Sequence, residues 1–196
     1  MARKRSDDKR RRILQAAVKV FARKGYFAAR VAEIAQRAGV ADGTIYLYFR
    51  GKEDILVSLF DELMAEHVER ARAEMQAVED APSRLRLIAE HHLRALGADR
   101  DVAVVFQVEL RQSIKFMERF SATLLRDYLG LIREAIADGQ REGLIRTDVK
   151  ATVAAKMLFG ALDEMATNWI LSRRRYSLEA DADAVVDLFT NGARLR

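Results

Sequence analysis

The string Gly43-Thr44-Ile45-Tyr46-Leu47-Tyr48-Phe49 sets the hydroxyls of Thr44, Tyr46 and Tyr48 between apolar Ile45 and Phe49. Small hydroxyls and phenols on the outer side of a short helix suit hydrogen bonds to phosphate oxygens and base edges. That is a chemistry of recognition rather than of bond making. The chain has no cysteine, hence no disulfide, thiolate nucleophile or thiolate metal site. A di-metal carboxylate bundle needs paired Glu-x-x-His segments, but Met64, Ile88 and Ala89 stand three residues before His67, His91 and His92. Neither a glycine-rich phosphate loop nor a Gly-x-Ser-x-Gly elbow occurs. The expectation is a protein that is not an enzyme, with no catalytic residue, no metal and no cofactor.

For Thr44, Tyr46 and Tyr48 to reach a groove, neighbouring elements must hold their helix clear of the body. Val31, Ile34, Ala35 and Ala38 mark one short amphipathic helix, Ile45 and Phe49 mark a second, and Gly39-Val40-Ala41-Asp42-Gly43 is the tight turn between them. This is the economy of a helix-turn-helix, whose second helix enters a DNA major groove while the first braces it. A preceding helix from about Asp7 to Lys24, with Ile13, Ala17, Val20 and Phe21 inward and Gly25 at its end, completes a three-helix bundle over residues 1–50.

Charge follows the same division. Between Met1 and Lys52, 14 Lys or Arg stand against four acids, a net of +10, which leaves −5 for the remainder of a chain whose total is +5. A basic quarter on an acidic body is the footprint of a nucleic-acid module joined to a regulatory domain. One proline in 196 residues and long 3.6-period segments predict an all-α chain with six further helices over residues 51–196. They run from Lys52 to Val78, Pro82 to Leu96, Arg100 to Ser113, Phe116 to Gln140, Lys150 to Ser172 and Leu178 to Ala193. The first is long enough to touch both bundle and body. No run approaches the roughly 18 apolar residues of a membrane span, and no apolar core follows the charged N-terminus. The expected setting is cytoplasmic, without a membrane partner.

The string VAEIAQRAGVADGTIYLYFRGKEDIL, from Val31 to Leu56, resembles the signature of TetR-family transcriptional regulators. The resemblance implies a TetR-like fold: a helix-turn-helix DNA-binding domain at 1–50 and a six-helix ligand-binding and dimerisation domain at 51–196. It also implies a homodimer joined through the last two helices, bound to a palindrome in double-stranded operator DNA, with repression relieved by a small ligand. By the family pattern, Thr44 opens the recognition helix, Tyr46 and Tyr48 bind phosphate or base edges, and Lys52 matches a phosphate-binding lysine. Gly43 leaves room where backbone and DNA approach closely. Arg30-Val31 stands where many members carry a threonine that both caps the second helix and binds phosphate; Arg30 meets phosphate by charge, and the cap is lost. The basic tail from Arg3 to Arg12 either reaches DNA or stays solvated.

Two strings in the body, Glu109 to Ser113 and Phe159-Gly160 with Leu162-Asp163-Glu164, resemble the fatty-acid-responsive repressors of that family. The effector this implies is a long-chain acyl-coenzyme A, and the regulated genes are those of fatty-acid degradation. Phe106, Leu125, Tyr128, Phe159, Met165 and Trp169 are candidates to line an apolar pocket. Gln107 and Arg111 are its polar candidates, with Arg173-Arg174-Arg175 at its mouth. Arg111 is equally placed to pair with Glu109 or Glu164, and His91 and His92 either line the pocket or are solvated. A second reading keeps the DNA head but gives Trp169, Tyr128 and Glu164 to a cationic drug or antibiotic. A third, an acyl-coenzyme A-handling helical enzyme, has no visible catalytic residue.

Overall fold

The computed structural model describes residues 2–113, 116–118, 124–174 and 176–193, and every regular element among them is helical. Helix α1 (Ala2–Lys24) buries Ile13, Ala17, Val20 and Phe21 and stops at Gly25. There φ is 77°, a left-handed value that glycine adopts without steric cost. Helix α2 (Val31–Ala38) ends in the same way, at Gly39 with φ 66°. Helix α3 (Asp42–Ile45) is short, but its turn continues, since Leu47 N–H donates to Thr44 O at 3.2 Å and Tyr48 N–H to Ile45 O at 3.0 Å.

Helix α4 (Lys52–Met75) carries Glu53 and Asp54 in its first turn, at the positive end of its dipole. At 1.5 Å per residue it is about 36 Å long, and it stops three residues short of the expected Val78. Helix α5 (Ala81–Ala98) is capped by Asp80, which accepts the Ser83 amide at 2.8 Å. It runs through Gly97 rather than stopping before it. A Cβ on Gly97 would lie 3.3 Å from Leu178 Cβ, so the glycine serves close packing instead of a turn.

The expected regular helix from Arg100 to Ser113 breaks into three pieces. Helix α6 (Arg100–Val104) is capped by Asp99, a π turn follows over Val105–Glu109, and a 3-10 turn over Leu110–Gln112. The widened turn lets one segment present side chains to two clusters, and such turns recur at functional sites. Residues 116–118 are helical, and 119–123 of the expected Phe116 to Gln140 helix lie outside the described residues. Helix α7 (Leu124–Arg141) and helix α8 (Ala151–Leu171) follow, then a 3-10 turn (Leu178–Asp181) and helix α9 (Ala182–Ala193). None of the helices among the described residues is long and apolar enough to cross a membrane.

Two apolar clusters result. One gathers α1 to α3 with Ile55, Leu56, Leu59 and Phe60 of α4, and takes in Val105, Leu110 and Phe116. The other gathers α5, α7, α8 and α9 with Val68 and Ala71 of α4. Helix α4 and the segment after α6 therefore serve both.

Gly139, in α7, is held against the start of α5: a Cβ there would meet Ile145 Cδ1 at 2.7 Å and Ala81 Cβ at 2.9 Å. Gly139→Ala is expected to destabilise by roughly 1–2 kcal/mol, because overpacking outweighs the gain in helix propensity. A chemical-denaturation midpoint at or above wild type would refute this packing.

Candidate functional site

The head presents its recognition turn because Ile45 and Phe49, 0 and 2% exposed, anchor it from below. Tyr46 and Leu47 then stand out, 60 and 80% exposed, while Thr44 and Tyr48 are half-buried. The Tyr48 phenol oxygen accepts the Ser6 hydroxyl at 3.5 Å, which ties the end of the turn to α1. Leu47 is an addition to the expected set. An exposed apolar side chain on this turn suits a thymine methyl. Gly43 is exposed, with nothing within 4 Å of where its Cβ would be.

Arg30 precedes α2 and is exposed, and the missing side-chain cap is replaced from within the helix. Glu33 accepts the Arg30 amide at 3.1 Å and pairs with Lys24. The Lys24 ammonium first, and the Arg30 amide second, hold the Glu33 carboxyl below its usual range. Lys52 faces inward as well as outward. Its ammonium donates to the carbonyls of Phe27 and Ala29, both at 3.0 Å, and lies 4.6 Å over the Tyr26 ring. Burial lowers its pKa. Two of its three N–H groups thus hold the α1–α2 loop against α4. Of the basic tail, the side chains of residues 2–5 lie outside those described.

Head and body meet at a buried carboxylate. Glu109, 4% exposed, accepts the Tyr26 amide at 2.6 Å and the Gln112 side-chain amide at 3.1 Å. Tyr26 packs edge-on against Phe116 at 5.0 Å. Lys19 adds a tie from α1 to the α6 cap, 2.9 Å from Asp99 and 3.0 Å from Asp101. Those bonds raise the lysine's pKa.

On the other side of the same segment lies a cavity of about 150 Å³ among α4, α5, α6 with its π turn, α7 and α8. Phe106, Gln107, Arg111, Leu125, Tyr128 and Phe159 line it, as expected. Met165 and Trp169 do not. They sit two and six residues beyond the lining residue Asp163, about 200° and 240° around the helix, and so face elsewhere. Met165 packs on the main cluster, and the Trp169 indole N–H donates to Tyr176 O at 3.0 Å beneath the Arg100 guanidinium. Glu164 is exposed and holds Asn168, so the trio expected for a cationic drug is not assembled around the cavity. Arg173 and Arg174 are exposed, and Arg175 lies outside the described residues.

Arg111 pairs with neither Glu109 nor Glu164 but with Asp163, which also accepts Gln107 Nε2 at 2.9 Å. The Thr167 hydroxyl completes this network on Gln107 Oε1 at 3.2 Å. His92 is buried in the cavity wall with Nδ1 3.1 Å from the Tyr128 oxygen. His91 points away, onto Glu74 at 2.6 Å. His67, not among the expected lining residues, also lines the cavity. Its place one turn beyond Leu63 and Met64 on the stripe of α4 is the signal that would have found it.

An exposed recognition turn on a basic three-helix head, seated on an all-helical body with its own cavity, defines a helix-turn-helix regulator. Residues 13–59 match the model of the tetR family of bacterial regulatory proteins, and residues 60–192 match that of the YsiA-like protein C-terminal region. The chain belongs to the TetR family of transcriptional regulators. It is 38% identical over 180 residues to the fatty acid metabolism regulator protein of Bacillus subtilis (strain 168), covering 92% of this chain and 93% of that one. The fatty acid degradation regulator FadR from Bacillus halodurans superposes with a TM-score of 0.90 at 40% identity, over 96% of this chain and 97% of that one. The regulator FadR from Bacillus subtilis, in complex with stearoyl-CoA, gives 0.88 at 37%, over 93 and 98%. These relatives are regulators, not enzymes.

Burial pushes both His67 and His92 down to about 4, with repulsion from neighbouring cationic groups such as Arg70 adding to the effect at His67, and Asp163 opposing it at His92. Both rings are neutral in the fold where an unfolded chain, near the usual 6.5, is charged. The unfolded state therefore binds more protons as pH falls below 6.5, and stability is lost between about 6.5 and about 4. Thermal melts across that window are expected to show a smaller loss for His92→Leu than for wild type. Parallel curves would show that His92 does not carry this linkage.

Proposed function

We propose that this chain is a cytoplasmic homodimeric repressor that binds a palindromic operator and leaves it when long-chain acyl-coenzyme A enters the body, controlling genes of fatty-acid degradation. The observation that carries this is the position of the cavity. Its wall includes both α4, which begins at the DNA head, and the π turn whose Glu109 holds the head's Tyr26 amide. The stearoyl-CoA complex of the relative with 37% identity supports the ligand class. Exposed Val153, Met157 and Leu188 on α8 and α9, 48, 63 and 77% exposed, support pairing through the last two helices.

The mechanism follows from volume. A cavity of about 150 Å³ is below the roughly 300–1,000 Å³ of ligand pockets, so a long chain is accommodated by spreading the helices around it. Roughly 16 methylenes at about 0.8 kcal/mol each supply on the order of 13 kcal/mol for doing so. About 5.5 kcal/mol of differential affinity is enough to turn a 1:99 equilibrium into 99:1. Spreading α4 and the π turn moves each head off the roughly 34–36 Å spacing of successive major grooves.

Release should therefore strengthen with chain length. In an operator-binding titration, stearoyl-CoA is expected to dissociate the complex, octanoyl-CoA to do so far less, and free coenzyme A not at all. By linkage, operator must weaken stearoyl-CoA binding by the same factor as the ligand weakens operator binding. Equal ligand affinity with and without operator would remove the switch.

For the DNA face, Thr44, Tyr46, Tyr48 and Leu47 are assigned to phosphate and base edges, Arg30 to phosphate, Gly43 to clearance, and Lys52 to both strut and phosphate. Arg30→Ala is expected to lower the salt dependence of binding by about one unit of slope. Tyr46→Phe is expected to weaken operator affinity at constant salt. An unchanged slope or affinity in these titrations would take the residue concerned off the interface.

A further inference from the structure

Two polar atoms in the cavity wall have no hydrogen-bond partner among the described residues: Nε2 of His67 and Nε2 of His92. A buried polar group left unpaired is costly, and His92 is 9% exposed. The lining around them is otherwise mostly aliphatic and aromatic, with Phe159 edge-on to His92 at 5.9 Å. Tyr128 stacks on His92 at 5.6 Å and lies 5.3 Å from His67.

The proton inventory identifies what His92 lacks. Its Nδ1 faces the Tyr128 oxygen, and both groups are neutral because burial disfavours their charged forms. A neutral imidazole carries one N–H and one bare nitrogen. If Nδ1 carried the hydrogen, it would donate to the phenol oxygen, leaving the buried Tyr128 hydrogen and the bare Nε2 both unpaired. With the phenol O–H donating to Nδ1, everything is satisfied except an N–H at Nε2. The unmet need is thus for an acceptor, supplied from inside the cavity.

Building on acyl-coenzyme A as the ligand of this site, we infer that its thioester carbonyl oxygen is seated on His92 Nε2–H, with His67 beside it. The carbonyl is the acceptor nearest the chain, and its two lone pairs admit a second donor. A carboxylate fits less well, since two uncharged rings offer it no counter-charge and Arg111 is already tied to Asp163. Placement agrees. His67 lines both the cavity and an open groove on the outer side of α4 and α5, a polar groove that carries Arg70 and Arg94, paired with Glu66 and with Glu90 and Glu179, beside Glu74. A thioester at His67 and His92 leaves the hydrocarbon inside and the coenzyme arm on the groove side.

The test compares stearoyl-CoA with S-octadecyl-CoA, the thioether that lacks the carbonyl, by calorimetric titration of the full-length protein. Wild type is expected to prefer the thioester about tenfold, the worth of one buried hydrogen bond. In His92→Leu the ratio is expected to fall towards one. Should that variant not fold, the wild-type complex with carbonyl-13C thioester is read by infrared difference spectroscopy. There, a carbonyl stretch below its position in an apolar solvent supports the bond, and an unshifted band overturns it. Equal binding of the two ligands by wild type, or a ratio that survives in His92→Leu, overturns the subsite while leaving acyl-coenzyme A as effector. Binding of neither ligand removes both.

Discussion

The hydrogen bond from the Tyr26 amide to Glu109 is the joint on which this molecule depends. Helix α1 ends at Gly25 in the left-handed conformation, and the amide that follows has to find an acceptor outside its own helix. The acceptor comes from 83 positions along the chain, on a carboxylate 4% exposed, 2.6 Å away. A buried carboxylate is tolerated only where donors surround it, so the contact constrains both sides. The end of α1 is held in place, and the π turn is held in register against it.

That register matters because the π turn has a second face. Val105 belongs to the apolar cluster of the head, Gln107 and Arg111 line the cavity of the body, and Phe106 and Leu110 touch both. Helix α4 works in parallel, burying Ile55, Leu56, Leu59 and Phe60 in the head and Val68 and Ala71 in the body. Helix α4 and the segment after α6 thus each join head to body, and both contribute to the wall of one cavity.

Much of this was legible along the chain. The stripes of α1, α2 and α4, the glycines that end α1 and α2, and the anchors Ile45 and Phe49 all follow from spacing. Six of eight cavity candidates line the cavity: five are apolar, aromatic or amide side chains on inner faces, and the sixth, Arg111, is held there by Asp163. Met165 and Trp169 miss it by their angle around α8. The ion pair of Arg111 was open between two glutamates, and the partner turned out to be Asp163, 52 positions away and one helix across. The capping role passed from residue 30 to Glu33, a change that the Arg-Val-Ala-Glu order permits but does not require.

What the amino-acid order determined by itself was local: helix faces, turn positions, a basic head on an acidic body, and the string that marks the family. These depend on residues within a few turns of one another. The tertiary structure alone decided which distant groups would meet. It broke the expected sixth helix into a π turn, since one segment had to serve two clusters. It turned Lys52 inward onto two carbonyls, and set half-buried His67 and buried His92 beside Tyr128, each with a buried Nε2 that has no partner among the described residues. Burial and partner choice arise from how the helices cross, and periodicity does not contain that information.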